Sequence, residues 1–156
     1  MRCDLNQNLS NIENTIPNFK KGEKISPFLN RKGEEMCAKM TLDEALERLK
    51  KSKFRSKFHL TEKDREYIAK KGMEQIRAHA TDFVRDRLSA AYIKNDGAQT
   101  PWRGHPVFIA QHATATCCRG CIEKWYKIPK NTTLSPTQQQ KIVNLIMFWI
   151  TNELKK

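Results

Sequence analysis

A chain of 156 residues with 38% hydrophobic side chains can bury a real core without disulfide staples, which excludes a small stapled scaffold. Its apolar residues are clustered rather than dispersed, which excludes a chain disordered throughout. The 29 Lys and Arg against 17 Asp and Glu leave a formal charge of +12, a field that attracts polyanions, whether nucleic acid or an acidic protein partner.

Residues 1–39 are rich in Asn, Lys and Glu, carry Pro17 and Pro27, and sustain neither a 3.6-residue nor a 2-residue period. They are expected to form a mobile N-terminal extension to a single helical domain over residues 40–156, with Met40 a natural start for the patterned part. No apolar core of signal-peptide length opens the chain, and no stretch approaches the length needed to span a bilayer. The expectation is a cytoplasmic protein without a membrane partner. In that reducing setting the five cysteines read as thiols, ligands or redox groups rather than as a disulfide framework.

Thr41 and Glu44 have capping-box spacing, and Leu42, Ala45, Leu46 and Leu49 make one apolar stripe on a first helix. A basic run follows from Lys50 to Phe58, in which Lys51, Lys53, Arg55 and Lys57 interleave with Phe54 and no acid. Such a run can track phosphates while Phe54 or Phe58 stacks or anchors it, and it reads equally as a solvated face with two phenylalanines turned inward. Thr61 caps a second helix reaching about Lys71, and Gly72 marks a break. Met73, Ile76, Ala80, Phe83, Val84 and Leu88 then share the face of a third.

Between residues 89 and 105 the pattern dissolves into turn chemistry at Asn95-Asp96-Gly97, Thr100-Pro101 and Arg103-Gly104. An irregular loop of that length in a small domain is more often functional than idle, and it leaves room for a short strand pair. Pro106 suits the first position of a fourth helix, with His105 as its cap. Trp125 and Tyr126 mark a helix end, and Ile128-Pro129-Lys130 a turn. Ser135, Pro136 and Gln138 then cap a last helix whose Ile142, Val143, Leu145, Ile146, Trp149 and Ile150 form a wide apolar face, so it should be the central buried helix. The fold class expected is mostly α, a compact bundle of about five helices with one long irregular loop.

The chemistry concentrates between His105 and Cys121. On one straight helix His105 and His112 fall in line while Cys117, Cys118 and Cys121 group elsewhere, so convergence on a metal needs a bend, at Gly120 or near the paired cysteines. Cys118 and Cys121 have Cys-x-x-Cys spacing, with His112 or Cys117 as a third ligand and His79, His105 or His59 as a fourth. These ligand types suit zinc or an iron–sulfur cluster. Small buried cysteines that let helices approach closely are the competing reading. A third uses Cys117, Cys118 or Cys121 as a nucleophile beside Arg119, His112 or His105 in a cysteine- and histidine-dependent enzyme. The function these features favour is a basic nucleic-acid-associated binding domain, stabilised by a Cys/His metal site, with Lys51, Lys53, Arg55, Lys57 and Arg103 meeting the polyanion.

The segments Lys53 to Leu60, Gly104 to Cys121 and Lys124-Trp125 together resemble a family of small bacterial and mobile-element proteins described as domain of unknown function 4186. The resemblance runs from about Met40 to the C-terminus and implies no particular activity. That family usually has histidine where this chain has Tyr126, so the resemblance implies no histidine-dependent role at that position here.

Overall fold

The computed structural model describes residues 40–156 together with Lys24–Ile25. The expected mobile extension, residues 1–39, therefore lies outside the described residues apart from one short contact. There β1 (Lys24–Ile25) pairs antiparallel with β2 (Met40–Thr41), Lys24 opposite Thr41 and Ile25 opposite Met40.

Among the described residues there are six α-helices: α1 (Leu42–Lys50), α2 (Glu62–Lys71), α3 (Met73–Leu88), α4 (Pro106–Ala113), α5 (Arg119–Tyr126) and α6 (Pro136–Leu154). A 3₁₀ turn, Arg55–Lys57, follows α1. Local side chains fix most of the starts. Thr41 with Glu44, Thr61 with Asp64 and Ser135 with Gln138 each form a reciprocal capping box, satisfying donors that a helix N-terminus leaves orphaned. Gly72, at φ 82°, both ends α2 and precedes α3, a conformation that costs glycine little.

Helix α6 is the central element. Its Ile142, Val143, Ile146, Met147 and Ile150 join the main core with Ile76, Ala80, Val84 and Leu88 of α3 and Val107 and Ala110 of α4. Leu145 turns toward a smaller cluster made by Leu42, Ala45, Leu46 and Leu49 of α1 with Ala115. Every residue of α4 is buried, as its apolar composition on all sides requires. Among the described residues no helix is long and apolar enough to cross a membrane.

At the centre of the chain the structure corrects one expectation and chooses between two alternatives for the bend. The segment between α3 and α4 contains no strand among the described residues. It is held instead by side chains: Arg87 donates to the Gln99 carbonyl at 3.2 Å, Thr100 Oγ1 donates to the Cys117 carbonyl at 2.7 Å, and the Asp96 carboxylate accepts from the N–H groups of Arg119 and Gly120 at 2.8 and 2.9 Å. The bend that separates the histidines from the cysteines lies at Ala115, whose φ of 55° is left-handed, which is near the paired cysteines and not at Gly120. There the Thr116 N–H donates back to the Gln111 carbonyl at 2.8 Å and the Ala115 N–H to the His112 carbonyl at 3.4 Å, closing α4 in the manner usually given to glycine. Gly120 sits in the first turn of α5, where an added Cβ would meet the Asp96 carboxylate at 3.3 Å.

Candidate metal centre and the face beside it

The turn at Ala115 delivers all three cysteines to the N-terminus of α5. Cys118 caps that helix, its sulfur accepting the Cys121 N–H at 3.4 Å, and Cys117 precedes it. The three Sγ atoms lie within 4.8 Å of one another, with Cys117 and Cys121 separated by 3.6 Å. Cys117 and Cys118 are buried and Cys121 is half-buried. This is a set of soft donors that could hold a metal ion, placed where the helix dipole favours negative charge on sulfur.

Arg55 completes the surroundings from the far side of the sequence. Its guanidinium donates to the His112 carbonyl at 2.5 Å, to Cys121 Sγ at 3.1 Å and to Cys117 Sγ at 3.8 Å. Hydrogen bonds from Cys117 and then Cys118 hold the Cys121 thiol well below its ordinary pKa against the opposing effect of burial, and Arg55 lowers it further. The hydrogen bonds shared with Cys118 and Cys121, together with burial, push Cys117 far up. The cluster therefore favours one negative charge, centred on Cys121, with two thiols and a guanidinium donating toward it.

Arg55 was grouped by sequence with the cations that meet a polyanion, and the structure separates it from them. It is 8% exposed, because the 3₁₀ turn rotates it inward onto the thiols while its neighbours rotate outward. Lys51, Lys53, Lys57 and Arg103 are exposed, and none has an ion-pair partner among the described residues.

His112 also departs from the expected ligand set, since the donor group within 4.8 Å comprises the three cysteines and no histidine. Its ring stacks on Trp102 at 4.1 Å with 6° between planes, and against Phe58 at 5.4 Å. Nε2 lies 3.3 Å from the Thr100 carbonyl and 3.2 Å from that of Pro101, which places the proton on Nε2 and leaves Nδ1 a buried lone pair without a partner among the described residues. Burial lowers its pKa, against the pull of those carbonyls.

His105 stands at the other end of α4, about 12 Å of helix from the turn that leads to the thiols. It caps α4 by accepting the Val107 N–H on Nδ1 at 3.1 Å, and its Nε2 meets His79 Nδ1 at 2.9 Å. The structure does not bring it to Cys117. His79 is engaged with His105, and His59 with Glu153 at 3.3 Å, so neither joins the sulfurs.

Loop and basic run meet in an aromatic group that sequence spacing did not reveal. Trp102, 60% exposed, contacts Phe54, 45% exposed, edge to face at 6.2 Å, and lies nearly parallel to Phe58 at 6.2 Å. The Arg55 guanidinium rests 4.9 Å from the centre of the Phe54 ring, so one side chain touches both thiols and aromatics. A tryptophan between Pro101 and Arg103 in a turn-rich segment was the available signal for this face. Asp96 and Thr100, which tie the loop to α5, were legible only as turn residues.

No solved structure matches the chain. The family model for Domain of unknown function (DUF4186) matches residues 43–151, from the first turn of α1 nearly to the end of α6 and across every residue of the thiol cluster. This chain belongs to that family.

Proposed function

We propose that this is a nucleic-acid-binding domain whose binding face is braced by a single zinc ion on Cys117, Cys118 and Cys121. The sulfur spacing carries the metal half of the reading. Zinc–sulfur bonds of about 2.3 Å put tetrahedral ligands roughly 3.8 Å apart, and three sulfurs within 4.8 Å, one pair at 3.6 Å, fit that edge. An iron–sulfur cluster suits three sulfurs this close less well, because a four-iron cluster puts each cysteine on a different iron and a two-iron cluster lets only two share one. Three thiolates around a dication leave one negative charge, and Arg55 offsets it. The fourth position falls to water or another small donor.

Support for the nucleic-acid half comes from four exposed cations, Lys51, Lys53, Lys57 and Arg103, on the turn and loop that adjoin that centre and without an ion-pair partner among the described residues. Arg55 is the link between the two halves, because it orders the turn that presents Lys53, Phe54 and Lys57. Cysteines kept as thiolate ligands rather than disulfides suit a reducing, cytoplasmic setting.

Protein purified without chelator should contain close to one zinc per chain, and chelation should lower its melting temperature, since metal binding is part of the folding free energy at such a site. Cys118→Ser should lose the metal. Replacing Lys51, Lys53, Lys57 and Arg103 by Gln should keep the fold and reduce the salt dependence of nucleic-acid binding by about 0.7–0.9 in log–log slope per lost contact. Metal-free protein whose Cys121 is selectively alkylated in the native state would sink the zinc reading and favour a cysteine-dependent enzyme.

A further inference from the structure

Trp102 is the exposed residue hardest to explain as packing. Its indole is pinned rather than free: one face lies flat on His112, whose Nε2 is in turn held by the carbonyls of Thr100 and Pro101, the two residues before Trp102. Thr100 is anchored again through its hydroxyl to the Cys117 carbonyl. With 60% of its surface exposed, the ring is open to solvent over much of what His112 does not cover. A large aromatic face held rigid and open to water is built to receive a flat partner at little further cost in side-chain entropy.

The surroundings say which flat partner. Phe54 stands edge-on beside the indole, and exposed cations adjoin both rings in sequence: Lys51, Lys53 and Lys57 flank Phe54, and Arg103 follows Trp102. We infer that Trp102 and Phe54 stack the bases of single-stranded nucleic acid while Lys51, Lys53, Lys57 and Arg103 hold its phosphates. In a duplex the base faces are already covered by their neighbours, so an exposed indole gains nothing there. An unstacked strand offers a face at every nucleotide, with anionic phosphates at the spacing that a cationic rim can follow. An acidic protein would satisfy the cations and leave the indole unused. This inference rests on the nucleic-acid half of the proposed function and is independent of the metal.

The test is fluorescence anisotropy with the full chain, using a labelled oligothymidylate of about 12 nucleotides, a duplex of equal length, and polyglutamate as competitor. The single strand should bind about tenfold or more tightly than the duplex. Trp102→Leu should weaken single-strand binding about tenfold, as expected for one lost base stack, whereas Trp102→Phe, which keeps a π-face, should retain most of the affinity. Melting curves of both variants check that the fold persists, and the comparison of strand with duplex needs no variant. Equal affinity for strand and duplex, with Trp102→Leu unchanged, would overturn base stacking and leave phosphate binding by this face intact. Polyglutamate competing as well as the strand would overturn it in favour of an acidic protein partner. Failure to bind any of these polyanions would overturn both this inference and the nucleic-acid reading beneath it.

Discussion

Arg55 and Arg119 are both buried beside the cysteines, at 8% and 2% exposure, yet they meet different partners. Arg119 donates to four backbone carbonyls: Leu88 at 3.2 Å, Ala90 at 2.9 Å, Pro129 at 2.7 Å and Thr132 at 2.8 Å. These are neutral dipoles, and burial pulls the Arg119 pKa below its usual value despite the nearby charges of Asp96 and Glu123. Arg55 is opposed by burial too, but its hydrogen bonds to Cys121 and Cys117 outweigh that and hold it above the usual value. One guanidinium is a staple that ties the ends of two loops to α5. The other is a counter-charge, and its presence marks the thiols as the place where this interior expects negative charge.

The largest effect should come from the staple. Arg119→Met leaves four carbonyls without donors and should cost about 3–5 kcal/mol of stability, by the same amount whether metal is supplied or removed. A loss below about 1 kcal/mol in urea unfolding would show that water replaces the guanidinium there and that the contrast with Arg55 is misdrawn.

Next comes His105, a buried group whose charged form has no counter-charge of the kind Arg55 enjoys. Burial first, and the neighbouring His79 second, lower its pKa to about 4, with Asp64 acting the other way. The unfolded chain takes up the proton near pH 6.5, so the full contribution is present above that pH and is lost as pH falls toward 4, on the order of 2–3 kcal/mol. His105→Asn keeps a capping side chain without an imidazole. It should flatten the pH dependence of stability across that window, and an unchanged profile would assign the acid sensitivity elsewhere.

The smallest stability effect belongs to Arg55, since its loss also removes a desolvation cost. Arg55→Met should lower stability by about 1–2 kcal/mol while weakening zinc affinity about tenfold or more, as loss of an outer-shell partner does. Competition with a chromophoric chelator would read the second effect. If stability falls as far as in Arg119→Met and zinc affinity stays the same, Arg55 is a second staple and the comparison collapses.

Much of this fold was legible before the structure. The capping boxes at Thr41 and Ser135, the cap at Thr61, the break at Gly72 and the apolar faces of α1, α3 and α6 all stand where spacing put them, and His105 caps α4 as its place beside Pro106 suggested. The cysteines were recognised as a donor set. Their partner was not, because Arg55 sat in a run of cations with nothing in its neighbours to single it out. Of the two places open to the bend, Gly120 or the neighbourhood of the paired cysteines, the chain uses the second, with a buried alanine in the left-handed region, a strain that the surrounding core supports.

The division has one physical cause. A capping box closes between residues three apart, and an apolar stripe repeats every three or four, so both are written in consecutive residues and survive without knowledge of the rest. The hydrogen bond from Arg55 to Cys121 spans 66 positions, that from Arg55 to the His112 carbonyl 57, and that from Thr100 to the Cys117 carbonyl 17. Such contacts depend on how the 3₁₀ turn after α1, the loop before α4 and the start of α5 pack around one buried helix. By itself the sequence determined a mostly helical fold, the capped starts of α1, α2, α4 and α6 and the identity of the thiols. Only the tertiary structure decided which cation neutralises them, which imidazole is left with a bare nitrogen, and which indole is held open to solvent.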